Sequence, residues 1–203
     1  MDLPDDLPLP LESGAPWWYW LGGRPALDFV NTRRERWWRD VETLVIPQDL
    51  AGWIASAGLL AEEPAVDQAL LRAARDLREA INAAVVALGE PGSCPKDVVA
   101  AIDQWLPHAH VADHLSIRQG EAPVLAPGVP AEPARHALGL IARDAAEMLG
   151  TDERERIRVC ASETCSARFF DRSRAGQRRW CSMQGCGNVA KARRFRARQA
   201  TGK

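Results

Sequence analysis

Apolar residues recur every three or four positions over most of this chain, and that rhythm predicts a mainly helical body. In residues 47–58, Pro47 stands at the first turn, Leu50, Trp53, Ile54 and Ala57 share a face, and Gly58 marks the stop. A longer helix is expected over 63–88, where Val66, Leu70, Ala73, Leu77, Ile81, Ala84 and Leu88 keep the same period and Gly89 and Pro91 end it. Residues 95–105 repeat the pattern with Val98, Val99, Ile102 and Trp105, and residues 133–149 do so with Leu138, Ile141, Ala145 and Met148 before Gly150. Between 107 and 130 the rhythm lapses. Weak alternation over 109–118 suggests one or two short strands there. Residues 26–32 (Ala26, Leu27, Asp28, Phe29, Val30, Asn31, Thr32) read as either a strand or a first helical turn, and periodicity does not separate the two.

Toward the carboxy-terminal end the pattern changes to short apolar strands set among arginines. Residues 156–160 and 167–171 read as strands, residues 171–177 as a turn-rich connection, and 178–181 as a third strand. Residues 187–199 lack proline and are rich in helix formers. The expected fold class is therefore α+β: a leader over 1–16, extended or disordered, with four prolines and four acids; a mainly helical domain over 17–150 with a few short strands; and a small module over 151–203.

Charge divides the chain at the same place. Residues 151–203 hold 14 Lys and Arg against 5 Asp and Glu, a net of +9, whereas the first 150 residues hold 12 against 22, a net of −10. The formal charge of −1 for the whole conceals a basic end on an acidic body, an asymmetry that points to a polyanionic partner for that end. No apolar run approaches the roughly 20 residues that would span a bilayer. The acidic, proline-rich start is unlike a secretory leader, so a cytoplasmic protein without a membrane partner is expected.

Five cysteines sharpen the reading. Cys160 and Cys165 form one close pair, Cys181 and Cys186 another, and Cys94 stands alone in a Pro-Gly-Ser-Cys-Pro loop. Two pairs separated by a loop long enough for a hairpin have the spacing of ligands that converge on one tetrahedral Zn2+. Two thiolates on a hairpin and two at the start of a helix make a treble-clef-like zinc finger. Arg172, Arg174, Arg178 and Arg179 surround the hairpin, and Lys191, Arg193, Arg194 and Arg198 line the following helix, with Arg196 widening the charged side. Guanidinium groups donate paired hydrogen bonds to phosphate oxygens, which suits DNA. A charge run is also an ordinary solvated helix face, and zinc modules also bind proteins, so an adaptor that docks an acidic partner without touching DNA is the alternative.

These residues carry a resemblance. Cys181-Ser182-Met183, Cys186-Gly187-Asn188 and Lys191-Ala192-Arg193-Arg194, with upstream Phe170-Asp171-Arg172-Ser173 and Arg179-Trp180, resemble the CGNR zinc finger. Residues 23–32, from Gly23-Arg24-Pro25 to Asn31-Thr32, together with Asp49-Leu50-Ala51-Gly52-Trp53 and Gly58-Leu59, resemble the ABATE domain that precedes it. The resemblance implies a bacterial stress-induced transcription regulator that contacts DNA through the finger, with Asn188 among the contacts. The motif's final arginine is replaced here by Val189, which implies one phosphate contact fewer.

No nucleophile and base in residues 17–150 form a catalytic set, so an enzyme is not expected. His108, His110 and His114 lack a further ligand motif, and a second metal is not expected from them. Six of the eight tryptophans lie between residues 17 and 53. Most belong in a core, yet with Arg24, Asp28 and Asn31 nearby, Trp37 and Trp53 are candidates to line a pocket for a small-molecule effector, and the same aromatic cluster could support a homodimer. Capping and buried hydrogen bonding are the commoner use of Arg24, Asp28 and Asn31.

Overall fold

The computed structural model describes residues 3–88, 94–117, 119–120 and 122–200. Helix α1 spans Pro25–Val30, α2 Pro47–Ser56, α3 Gln68–Ala87, α4 Lys96–Asp103, α5 Pro133–Gly150 and α6 Asn188–Ala200. Strands β1 (Arg33–Arg34) and β2 (Val41–Glu42), β3 (His114–Ser116) and β4 (Val124–Ala126), and β5 (Ile157–Val159) and β6 (Arg168–Phe170) form three separate antiparallel pairs. The first five helices enclose one core. Leu27 and Phe29 of α1, Leu50 and Trp53 of α2, Leu71, Leu77 and Ile81 of α3, and Leu138 and Ile141 of α5 are all fully buried in it.

Local chemistry explains each boundary. The ambiguous segment 26–32 is helical as far as Val30 and turns at Asn31 and Thr32, and Asp144 of α5 accepts the Ala26 amide at 2.9 Å and so satisfies the first turn of α1. At the start of α2, Asp49 accepts the amides of Val45 and Ile46 at 2.7 and 2.9 Å. Gly58, beyond its end, takes φ of +69°, a conformation suited to glycine. The long helix starts at Gln68 rather than 63, since Asp67 caps it by accepting the Leu70 amide at 2.7 Å. The residues expected to end it, Gly89 and Pro91, lie outside the described residues. On α5, a Cβ at Gly139 would stand 2.5 Å from the Ala109 amide, so glycine lets the short 3-10 turn Leu106–Ala109 close against the helix.

Two expectations are corrected. Residues 178–181 form no strand: a single backbone bond from the Ala161 amide to the Arg179 carbonyl at 2.8 Å ties them to the hairpin. The leader has neither helix nor strand among its described residues, but it lies against the body. Leu3 and Leu11 are buried with Val41, while Asp49 accepts the Ser13 hydroxyl and the Gly14 amide at 2.7 and 2.8 Å.

The finger is built into the body. Ile157 joins the main core and Phe170 packs on it, the Phe170 amide donates to the Gly22 carbonyl at 2.7 Å, and Tyr19 is buried in the finger's own cluster with Phe169 and Ala167. None of the described helices is long and apolar enough to cross a membrane.

Candidate metal centre and its surround

Each cysteine is placed by a different local device. Cys160 follows β5, and its amide continues the β5–β6 ladder by donating to the Ala167 carbonyl at 2.9 Å. Cys165 sits in the connection between the two strands. Cys181 is held by Arg178, whose guanidinium reaches the Cys181 carbonyl at 2.8 Å while stacking over Phe169 at 5.0 Å. Cys186 lies in a π-helical turn, Met183–Gly187, that leads directly into α6. The Ser182 hydroxyl caps that turn by accepting the Gly185 amide at 3.2 Å.

The four sulfurs lie within 4.8 Å of one another. Cys165 to Cys181 and Cys181 to Cys186 are each 3.8 Å. Four sulfurs at about 2.3 Å from a tetrahedral zinc stand about 3.8 Å apart, so the set fits that ion. A disulfide would need about 2.05 Å, and all four cysteines are free. Hydrogen bonds from Cys165, Cys181 and Cys186 lower Cys160 from its ordinary thiol value, whereas hydrogen bonds with Cys160, Cys165 and Cys186 raise Cys181. Four thiolates this close repel one another, and a dication between them would offset that repulsion. Zinc is the cofactor that fits, and Cys160, Cys165, Cys181 and Cys186 are the residues that could hold it. Among the described residues this is the one group of three or more His, Cys, Asp or Glu side chains close enough for a metal.

Asp171, fully buried, organises the loop that returns to Cys181. It accepts the Ser173 amide at 2.9 Å and the Arg178 amide at 2.7 Å. Burial raises its carboxyl, but the hydrogen bonds from Arg178 and Ser173 outweigh it and hold the group below its usual value. Arg168 of β6 is buried beside the centre. Its guanidinium lies 5.3 Å from the Trp37 ring and donates to the Ser166 carbonyl, its Nε has no hydrogen-bond partner, and burial pushes its pKa down to about 10.

The arginines expected to meet phosphate fall into two groups. Around the hairpin all four arginines are exposed, but Arg172 donates to the Gly23 carbonyl at 2.5 Å, Arg178 holds Cys181, and Arg179 stacks on Trp180 at 5.4 Å. On α6, Lys191, Arg193, Arg194, Arg196 and Arg198 are all exposed, and the helix contains no acidic residue. Arg193 reaches Glu163 at 3.2 Å, an exposed pair of little energetic weight. Asn188 is used locally, its amide donating to the Gln184 carbonyl at 3.2 Å.

The structure does not bring the five candidate pocket residues together. Arg24 spans Asp144 and Glu153 at 2.8 and 2.9 Å. Asp28 accepts the Gly22 amide at 2.7 Å, and Asn31 bonds to the Arg168 backbone. Trp37 donates to the Glu163 carbonyl at 2.9 Å, and Trp53 is buried against Trp20 and Phe29. A cavity of about 530 Å3 opens elsewhere, along the seam between body and finger. Tyr19, Asn31, Arg34 and Trp38 line it from the body, and Ser166 and Val189 from the finger, so Asn31 alone of the five reaches it. Tyr19 and Arg168 carry no local signal of their parts in this arrangement.

Comparison with protein families agrees with this anatomy. A family model described as "Putative stress-induced transcription regulator", ABATE, matches residues 23–152. The chain belongs to the ABATE family. The ABATE domain is followed by a match to the CGNR zinc finger over residues 156–199, which contains all four cysteines of the centre. No curated protein matches the chain. The ABATE protein is thus of a zinc-binding regulator type, and neither family is an enzyme family by its description.

Proposed function

We propose that this chain is a zinc-dependent DNA-binding transcription regulator whose finger grips the phosphate backbone through α6. The observation that carries the reading is the helix itself. α6 leaves the metal centre directly from the turn that holds Cys186, bears five exposed Lys and Arg residues and no acid, and stands on an otherwise acidic body. Zinc fixes the root of the helix, and the helix offers cations on a rigid rod. Arg174 adds to that surface, while Arg172, Arg178 and Arg179 serve the finger's own architecture first. Such contacts give affinity with steep salt dependence and little sequence information by themselves.

The seam cavity is the place for a small effector. Its volume lies in the range of ligand sites, its lining mixes aromatic rings with hydroxyls and guanidiniums, and it touches both body and finger. A molecule bound there would report to the finger by contact, because Val189, at the first turn of α6, is part of its wall.

Fluorescence anisotropy of the full zinc-loaded chain with a labelled duplex tests the reading. Binding at about 50 mM salt that weakens by several orders of magnitude by about 200 mM is expected. Absence of binding at low salt would favour the adaptor reading, for which the Arg193–Glu163 pair is the supporting observation, since the rod already engages a carboxylate of its own chain.

A further inference from the structure

The metal centre opens on one side. Cys165 and Cys186 are half-buried and line the seam cavity, whereas Cys160 and Cys181 are each 3% exposed and take no part in its wall. A solute that enters the cavity therefore meets two of the four thiolates and not the other two.

The same two stand on turns. Cys165 lies in the connection between β5 and β6, where its amide donates to the Ser162 carbonyl at 3.3 Å, and Cys186 lies in the π-helical turn Met183–Gly187. Cys160, by contrast, extends the β5–β6 ladder, and Cys181 is pinned through its carbonyl by Arg178. The sulfurs of Cys165 and Cys186 lie within 4.8 Å of each other. A disulfide needs about 2.05 Å, so an approach of at most about 1.4 Å by each sulfur closes the gap.

The cavity also suits the chemistry of an oxidant. The thiolate is the nucleophile, and a thiol that serves as a metal ligand is held in that form at neutral pH. Cationic side chains near a thiolate favour its reaction. Arg33, Arg34 and Arg39 belong to the cavity wall, as do the hydroxyls of Ser162 and Thr164, and both kinds of group donate hydrogen bonds to a departing oxygen.

We propose that Cys165 and Cys186 are a modification site for a hydroperoxide admitted through the seam cavity, and that their oxidation to a disulfide opens the metal centre. One of the two thiolates attacks a peroxide oxygen, so that an S–O bond forms and the O–O bond breaks. The other oxygen departs and takes a proton from solvent, leaving as water when the oxidant is hydrogen peroxide. The second thiolate attacks the sulfenic sulfur, the S–S bond forms, the S–O bond breaks, and the hydroxide lost takes a second proton. Each sulfur gives up one electron, and the peroxide accepts the two. Cys160 and Cys181 alone do not complete a tetrahedral set, so zinc is released, and α6, which begins at the turn of Cys186, loses its fixed root. The proposal rests on the seam cavity as the place where a small effector acts and not on DNA binding. Its measurements involve no DNA, so either reading can fail while the other stands.

The test treats the full zinc-loaded chain, carrying Cys94→Ser to remove the exposed fifth thiol, with hydrogen peroxide at about 1 mM and follows zinc with a coloured chelator. Release of about one zinc per chain, a Cys165–Cys186 disulfide in the peptide map, and recovery of zinc binding after a dithiol reductant are expected. Zinc retained under peroxide, or a disulfide that joins any other pair, overturns the proposal. Histidine in place of one cysteine keeps a zinc ligand and removes a thiol. Cys165→His should lose zinc to peroxide at least about tenfold more slowly, while Cys160→His should lose it at the natural rate. Equal slowing in both overturns the assignment of the reactive pair. Where either variant holds no zinc, the peptide map of the chain with all four ligands decides.

Discussion

Asn31 and Arg168 hold each other twice. The Asn31 Nδ2 donates to the Arg168 carbonyl, and the Arg168 amide donates to Asn31 Oδ1, both at 2.8 Å and both buried. The side-chain amide thus pairs with the outer edge of β6 as a neighbouring strand would, and the helical domain supplies the finger with a third partner in place of the strand that residues 178–181 do not form.

Replacing Asn31 with Leu should therefore act on the finger as well as on the body. It strands one buried donor and one buried acceptor, at about 1–3 kcal/mol each. A thermal unfolding midpoint lowered by several degrees and zinc released to a chelator faster than from the natural chain are the expected results. Asn31→Asp keeps the acceptor and loses the donor, so it should fall between the two. Unchanged zinc release in Asn31→Leu would mean that the paired bonds do not steady the metal centre.

Removal of one thiolate is expected to remove the ion. Cys181 is buried at the centre and lies 3.8 Å from both Cys165 and Cys186, so Cys181→Ser should take zinc from one per chain to a small fraction by elemental analysis. The helical core has its own buried cluster and should keep its far-ultraviolet circular dichroism, while Tyr19 and Phe170, which bind the finger to the body, should lose packing. Cys94→Ser, exposed and away from the centre, should leave the metal content unchanged.

Asp28 makes stability depend on pH in the unusual direction for a carboxylate. Burial raises its pKa to about 6 from an ordinary 3.8, the hydrogen bond from Gly22 lowers it, and the nearby Asp144 charge raises it further. The folded state holds the proton more tightly than the unfolded chain, so the contribution is fully present below about pH 4 and is lost as pH rises through about 6. Asp28→Asn can still accept the Gly22 amide and carries no charge. It should raise the unfolding free energy at pH 7.5 by about 1–3 kcal/mol and flatten the slope between pH 4 and 6, measured by denaturant titration.

What the sequence made legible follows from the range of the forces. Helices α2 and α5 were readable because their apolar faces repeat within one turn, and the zinc ligands because both pairs announce themselves over six residues. The start of α3 was misplaced because Val66 continues the apolar period while Asp67, one residue on, decides the cap. Partners across the seam were not readable: Asn31 meets Arg168 over 137 positions, and nothing local distinguishes an asparagine that pairs with a strand from one that lines a pocket. Arg24, Asp28 and Asn31 are neighbours in sequence, yet α1 turns each toward a different partner, and each is spent on bonds within the fold.

Val189 links the cavity to the helix that follows it. It is half exposed, lines the seam cavity, and stands where the CGNR motif has its arginine. A guanidinium at this position would begin on the first turn of α6, on the same rod as Lys191 and Arg194. If α6 meets phosphates, Val189→Arg should tighten duplex binding at about 100 mM salt and steepen the dependence of log affinity on log salt by about one, as one more neutralised phosphate requires. The added side chain also has cavity in reach, with Glu35 on the lining to attract it. An arginine drawn inward would leave the salt slope unchanged while raising the unfolding midpoint, so anisotropy across a salt series and a melting curve together tell which surface position 189 serves.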